Sequence, residues 1–414
     1  MLKSAGFGST FGVFREYYFN HPPFQGNQLV TEIGVMNIQG LLQLMSPVLL
    51  RVINDRNPRR KPMMIVGLVF VVTSSLGAAY STTPAQIITT QGFLYGIGSG
   101  FLFAPSISFI DEWFLERRGL ANGIFFGSNN VAAAALSPLF SYLLRRFGSR
   151  VVMIGWAVVS GSCISVALLF VRSREHRPMP AVQGASFAPY RRPLFWLLAL
   201  SMLLQGLANF LPGVYLTSYA TDLGVGHLGA AMLLSILSIS GMIGQPLFGI
   251  LMYVYVFQLA LLIRLIHTSD HCGICIPLLL STLVSAFAVG VLWGFGRAYW
   301  MMVMFVILFG SFSFSFIVLR SHFALAIVGS RDSPSDELVV SGVLIAVRGV
   351  ACVTSGFMGS AVAKLGEDVK ISHSYGAGRY KWLIVFIGVA MAAAAIGALG
   401  VWHDKRDSPP EEFA

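Results

Sequence analysis

The chain has 414 residues, 55% hydrophobic and 11% charged, with a mean hydropathy of +0.72. Too few polar side chains remain to clothe a water-soluble globule of this size. The formal charge of +10 would suggest nucleic acid in a soluble protein; in so apolar a chain, basic loops on one face of a membrane account for it, and no nucleic-acid partner is expected.

Taken in chain order, residues 2–19 form a poor first span. Lys3, Ser4, Ser9, Thr10, Arg15 and Glu16 interrupt it, and it lacks the continuous apolar core of a cleavable signal peptide. A second span is expected over 30–50. Residues 62–110 then carry no charged side chain at all. At about 1.5 Å per helical residue that run is roughly twice what a ~30 Å hydrocarbon core requires. The polar group Ser81-Thr82-Thr83-Pro84 near its middle divides it into spans over 62–82 and 85–110. Further spans are expected over 119–144 and 149–171. A polar linker follows at 172–192, with five arginines and Pro178, Pro180 and Pro189. Beyond it come six spans: 193–220, 227–251, 272–296, 298–328, 338–364 and 380–402. The expected domains are a first bundle over 1–171, the linker 172–192, a second bundle over 193–402, and a tail over 403–414.

Loop charges orient this ladder. If the linker faces the cytoplasm, the same face receives Arg51, Arg56, Arg59, Arg60, Lys61, Arg117, Arg118, the five linker arginines, Arg264, Arg331, Lys405 and Arg406. The opposite face receives only Arg145, Arg146, Arg150, Arg297, Lys370, Arg379 and Lys381. The excess places linker and tail in the cytoplasm under the positive-inside tendency.

Several motifs carry a resemblance. Asn54-Asp55-Arg56-Asn57-Pro58-Arg59-Arg60 resembles the Asp-Arg-x-Gly-Arg-Arg loop of the major facilitator superfamily, with Pro58 in the glycine's place. Phe11-Gly12-Val13-Phe14, the run from Gln91 to Gly100, the run from Trp113 to Ile124, and Arg348-Gly349 with Ser355-Gly356 resemble the superfamily's fungal monocarboxylate-transporter-like members. The resemblance implies an all-α polytopic membrane protein with the major facilitator fold, two six-helix bundles, the first helix incomplete. It implies transport of a small organic solute by alternating access, an anion being one candidate, by a monomer in the plasma membrane. The alternative is a transporter-like sensor or an inactive fragment. A membrane enzyme would want carboxylate pairs or histidine-rich clusters at a membrane face, so no enzymatic activity and no cofactor are expected.

Polar groups within spans are costly unless they meet a partner or water. With helices one, four, seven and ten implied to line the path, the candidate cavity groups are Tyr95, Ser99, Phe103, Gln205, Asn209, Tyr215, Ser311 and Ser315. Arg348, inside the eleventh span, is either a structural cap or a substrate contact. Asn129, Asn130, Asn37, Gln39 and Gln43 read as interhelical hydrogen bonds, which contribute only about 0.6–2 kcal/mol each. Asp55, Arg56, Arg59 and Arg60, facing Asp111 and Arg118, are the candidate conformational latch. The glycines Gly92, Gly96 and Gly100 suggest a close-packing stripe. Cys272 and Cys275, with His267 and His271, have the outline of a zinc site, but a lone CxxC is weak and no metal is expected.

Two departures stand out. The family's first helix begins well before its Phe-Gly-Val-Phe end, whereas this chain has ten residues ahead of Phe11. Residues 252–268 lie between family-like edges at Gly249 and Ser269 as an insert, too short to span and expected to lie outside the fold, as translated intron sequence would. Every Asp and Glu falls in a loop or near a helix end. Facilitated transport, or coupling through His322 at most, is therefore expected.

Overall fold

The computed structural model describes residues 7, 10–26, 41–55, 60–114, 118–171, 188–263, 272–329, 334–366, 369 and 374–407. Its elements are helices throughout. The first bundle holds α1 (Phe11–Asn20), α2 (Ser46–Asp55), α3 (Arg60–Ala79) and α4, which runs as Pro84–Ile87, a π-helical segment Ile88–Leu94, and Tyr95–Trp113. The helix Arg118–Phe170 is two elements, because Gly148 at φ +76° breaks it; α5 covers 118–147 and α6 covers 149–170. A left-handed residue cannot continue a helix and costs glycine least.

The second bundle holds α7 (Pro193–Asn209 and Leu211–Asp222), α8 (His227–Ile263) and α9 (Cys272–Phe287, then the π-helical Ala288–Trp293). It continues with α10 (Tyr299–Ser313, a 3-10 segment Phe314–Leu319, and Arg320–Val328), α11 (Pro334–Lys364) and α12 (Lys381–Ala393 and Ile396–Asp407). Pro105, Pro138, Pro246 and Pro277 lie inside helices. Each removes one backbone donor, which neighbouring helices tolerate in a membrane.

Among the described residues, nine stretches are long and apolar enough to cross a membrane. One of them, Leu120–Phe170, is the α5–α6 pair and counts twice. The shorter apolar helix Leu41–Leu50 and α1 stand, in chain order, where the second and first expected spans end. From the third span onward the expected bounds hold to within about five residues except at α8; the expected starts of the first two spans lie outside the described residues. There the helix passes through Gly249 without a break and continues to Ile263. Thirty-seven residues at about 1.5 Å each measure roughly 55 Å, well beyond a ~30 Å core. The apolar residues 252–263 thus prolong α8 instead of forming a separate element, because nothing in that run ends a helix. Residues 264–268 lie outside the described set.

Small residues set the seams between the bundles. At α1 and α7, a Cβ on Gly12 would stand 2.6 Å from the Gly213 carbonyl oxygen. At α5 and α8, a Cβ on Gly123 would stand 2.8 Å from the Gln245 carbonyl oxygen, and Ser235 donates to the Ala134 carbonyl at 2.9 Å. At α2 and α11, Gly342 meets Pro47 at 3.2 Å. With lipid as solvent there is no hydrophobic drive between helices, so such close backbone approach supplies the dispersion contact that holds them. Within the first bundle the tightest α3–α4 approach is Gly67 against Gly98, 2.8 Å from a Gly67 Cβ to the Gly98 carbonyl oxygen. A Cβ on Gly100, by contrast, would make only an ordinary 3.6 Å contact with Leu42.

Candidate functional site

A cavity lies between the bundles, midway along the helices, with about 80 Å³ of space for water centres. That is room for on the order of five waters. Phe103, Phe125, Phe126, Phe210, Phe314 and Ile345 give it apolar walls. Its polar groups are Gln43, Ser128, Asn129, Asn130, Asn209, Gln245 and Arg348. Among the described residues, no acidic side chain lines it.

Arg348 organises one wall. It reaches the cavity from α11 because Gly206 of α7 leaves room; a Cβ there would stand 3.1 Å from Arg348 Cγ and 2.8 Å from Ala351 Cβ. Arg348 Nε donates to Gln205 Oε1 at 3.3 Å. One terminal nitrogen makes a long 3.5 Å contact to Gln43 Oε1 across the bundle boundary. The guanidinium carbon lies 5.1 Å from the Phe210 ring centroid, within cation–π range. Gln205 in turn donates to Asn209 Oδ1 at 3.2 Å and to the Ser313 carbonyl at 2.9 Å, and the Ser313 hydroxyl donates to Asn209 Oδ1 at 2.6 Å. On the opposite side Asn130 donates to Gln245 Oε1 at 3.2 Å, and Gln245 donates to the Phe314 carbonyl at 3.0 Å. Each of these amides is oriented by a neighbour. The arginine is buried, 5% exposed, and among the described residues its hydrogen-bond partners are neutral oxygens.

A sequence profile described as Major Facilitator Superfamily matches residues 24–308. The chain belongs to the major facilitator superfamily. The rat (Rattus norvegicus) protein named monocarboxylate transporter 4 is 31% identical over 204 residues, covering 46% of this chain and 42% of that relative. The yeast (Saccharomyces cerevisiae) protein named uncharacterized transporter ESBP6 is 27% identical over 270 residues, 60% of this chain and 39% of the relative. The chain spans about two fifths of the length of these curated relatives. Among solved structures, a mutant of the nucleoside transporter NupG superposes with a TM-score of 0.61 over 97% of both chains at 16% identity, a likeness of fold alone. The protein is thus a multi-pass membrane protein of the superfamily, similar to monocarboxylate-transporter-like and fungal members.

The residues singled out from the sequence fall into several places in this superfamily fold. Phe103, Asn209 and Arg348 line the central cavity, with Gln205 directly behind them. Ser311 sits at the α8–α10 contact instead, donating to the Ser240 carbonyl at 3.4 Å, and Ser315 is buried with its hydroxyl bonded within α10, to the Ser311 carbonyl at 2.5 Å. Tyr95 is buried inside the first bundle, where its hydroxyl accepts from Trp156 Nε1 at 3.3 Å. Its ring lies 5.1 Å from that of Phe7. Ser99 is buried on the same helix. Tyr215 faces a second cavity near the face opposite the linker, with the Arg15 guanidinium 4.6 Å from its ring centroid.

Of the latch candidates, Arg60 is buried with its guanidinium 5.3 Å from the Phe109 ring centroid. The side chains of Asp55, Arg56, Arg59, Asp111 and Arg118 lie outside the described residues, as do those of Cys272, His267 and His271. Cys275 lies 3.9 Å from the Ala398 carbonyl. Groups not singled out for the cavity complete it. Gln43, Asn129 and Asn130 read as interhelical glue in the sequence, yet they face the cavity. The signal that could have found Gln245 is its place beside Pro246, where a proline interrupts the α8 backbone ladder.

Proposed function

We propose that the chain is a carrier that moves a small organic anion across the membrane by alternating access, the bundles 1–171 and 193–402 rocking about the cavity at Arg348. The linker 172–192 and tail 403–414 face the cytoplasm in this reading, and the protein acts as a monomer in the plasma membrane. The observation that carries it is Arg348: a buried cation between Gln205 and Gln43, one from each bundle, in a cavity with no acidic side chain among its described lining residues. A charged group at membrane depth costs at least ~2.5–3.5 kcal/mol and is retained where a partner or a function offsets it. A carboxylate entering from water would supply the missing counter-charge. Arg348 now donates to neutral amide oxygens, whereas a carboxylate would ionise both partners and can accept two parallel bonds from the guanidinium.

Tyr95 and Ser99 act in this account as supports of the first bundle, and Phe103, Gln205 and Asn209 as contacts or positioners of the solute. Ser311 holds α10 against α8, Ser315 bonds within α10, and the loop from Asp55 to Arg60 with Asp111 and Arg118 remains the proposed cytoplasmic latch. The test is counterflow into proteoliposomes loaded in turn with carboxylates and with amides and amines of matching size. Exchange of a carboxylate, with the amide and amine inert, supports the reading; movement of the neutral or cationic partner instead overturns it.

A further inference from the structure

The amides that line the central cavity are not all committed. Gln43 accepts from Arg348 at 3.5 Å, Asn209 from Gln205 and the Ser313 hydroxyl, and Gln245 from Asn130 at 3.2 Å. The Ser128 hydroxyl is engaged within α5, on the Phe125 carbonyl at 2.7 Å. Asn129 differs. It lines the cavity, yet its Oδ1 is buried and accepts no hydrogen bond among the described residues. A buried acceptor left unmet loses the hydration it had in water, so such groups are rare unless a ligand or water answers them.

Helix geometry explains why this amide is left over. Successive residues turn by about 100° around a helix axis. Asn130 points into the α5–α8 seam, where it bonds Gln245 and where a Cβ on Gly241 would stand 2.8 Å from its Nδ2. Asn129, one step earlier, misses that seam. It shares a helix face instead with Phe125 and Phe126, four and three residues before it, and both rings line the cavity. Phe103 packs on the same two rings, with centroids 6.2 Å away in each case. Arg348 stands on the other side of the cavity, beside Gln43. One cavity thus carries a cation on one side, an unmet amide on the other, and phenyl rings in its walls.

We propose that the solute of this cavity is a carboxylate on an apolar, ring-sized framework with a hydroxyl remote from the carboxylate, and that Asn129 selects for that hydroxyl. This substrate class rests on the carrier reading at Arg348, whereas the hydroxyl contact stands on Asn129 alone. A hydroxyl both donates and accepts, so it answers either end of an amide whose terminal torsion is soft. A plain hydrocarbon leaves Oδ1 unmet and displaces the water that could have served it. An ammonium group would also donate, but no described lining residue offers it a counter-charge. Burying a cation against a neutral amide costs far more than burying a hydroxyl. A hydroxyl on the carbon next to the carboxylate would stay on the Arg348 side, out of reach of Asn129.

The experiment titrates the full chain in lipid nanodiscs with tritiated 3-(4-hydroxyphenyl)propanoate. Its competitors are 3-phenylpropanoate, 2-hydroxy-3-phenylpropanoate and the analogue with an aminomethyl group in place of the phenolic hydroxyl. The labelled probe is expected to bind, with each competitor at least about tenfold weaker. Asn129→Ala and Asn129→Leu should bring the preference over 3-phenylpropanoate below about threefold, the loss falling on the hydroxylated probe. That ratio is taken within one preparation, so it does not depend on how much of the variant is folded. Arg348→Gln should weaken both probes at least about tenfold and keep their ratio. Absence of binding, a smaller preference in the parent, a preference that survives in either Asn129 variant, or loss of both probes alike in those variants would each overturn the proposal. Counterflow of the labelled probe is measured alongside. Asn129-dependent binding without counterflow, or binding indifferent to Arg348→Gln, would count against the carrier reading and leave the hydroxyl contact standing. Exchange of 3-phenylpropanoate as efficient as that of the hydroxylated probe would leave the carrier reading standing and overturn this substrate class.

Discussion

The two bundles fill their interiors with different chemistry. In the first, Phe7, Phe14, Phe140 and Trp156 pack ring on ring around Tyr95, with centroid separations from 5.1 to 6.1 Å. In the second, the equivalent depth holds amides, a hydroxyl and a cation: Gln205, Asn209, Ser313 and Arg348. Aromatic pairs gain roughly 0.5–1.5 kcal/mol each beyond their burial and offer a solute nothing. The amide network offers donors and acceptors that are already oriented. The lesson is that a two-fold repeat of helices need not mean a two-fold repeat of function. In this reading the aromatic interior of the first bundle is a rigid support, while the cavity draws its polar groups from both bundles: Gln43, Ser128, Asn129 and Asn130 from the first, Asn209, Gln245 and Arg348 from the second.

That contrast can be broken from either side. The largest effect is expected at Arg348. Arg348→Gln should lower carboxylate uptake in proteoliposomes at least ~100-fold, corresponding to about 3 kcal/mol, while the protein still purifies as a monodisperse species. Gly206→Leu comes next, because its side chain would occupy the space of the Arg348 stem and of Ala351. Overpacking of that kind costs about 1–3 kcal/mol, so both a lower melting temperature and roughly tenfold slower uptake are expected. Asn209→Ala removes the acceptor shared by Gln205 and Ser313 and should slow uptake several-fold, on the order of 1 kcal/mol. Smallest is Tyr95→Phe. It deletes one hydrogen bond to Trp156, for about 0.5–1.5 kcal/mol of stability at most, and should leave uptake within twofold of the parent. A large uptake defect in Tyr95→Phe with unchanged melting would mean that the aromatic cluster itself handles the solute.

The helices were legible before the structure because charge-free runs of twenty or more residues have few alternatives. The α5–α6 break at Gly148 agreed with the expected gap between 144 and 149, a short basic turn with a glycine. The α8 extension was not legible as such. An apolar dozen too short to cross a membrane reads as an insert when spans alone are counted, yet a helix already running through Gly249 needs no further nucleation to continue. Of the cavity groups, Arg348 was visible as an intramembrane charge, and Gln205 and Asn209 as polar side chains within the seventh span. Gln43, Asn130 and Gln245 were harder to assign, because an amide between two helices and an amide facing a cavity look alike until the neighbouring helix is placed. Tyr95 shows the reverse: the helix position expected to face the path is turned inward by the α4–α6 packing, where Trp156 meets its hydroxyl.

The most direct test of the central claim pairs charge in the solute with charge in the cavity. Labelled carboxylates from the counterflow panel would be offered to proteoliposomes containing the parent chain, Arg348→Lys or Arg348→Gln. Exchange that is strong in the parent, partly kept in Arg348→Lys and abolished in Arg348→Gln is the predicted result. Carboxylate exchange that survives Arg348→Gln undiminished would contradict the account.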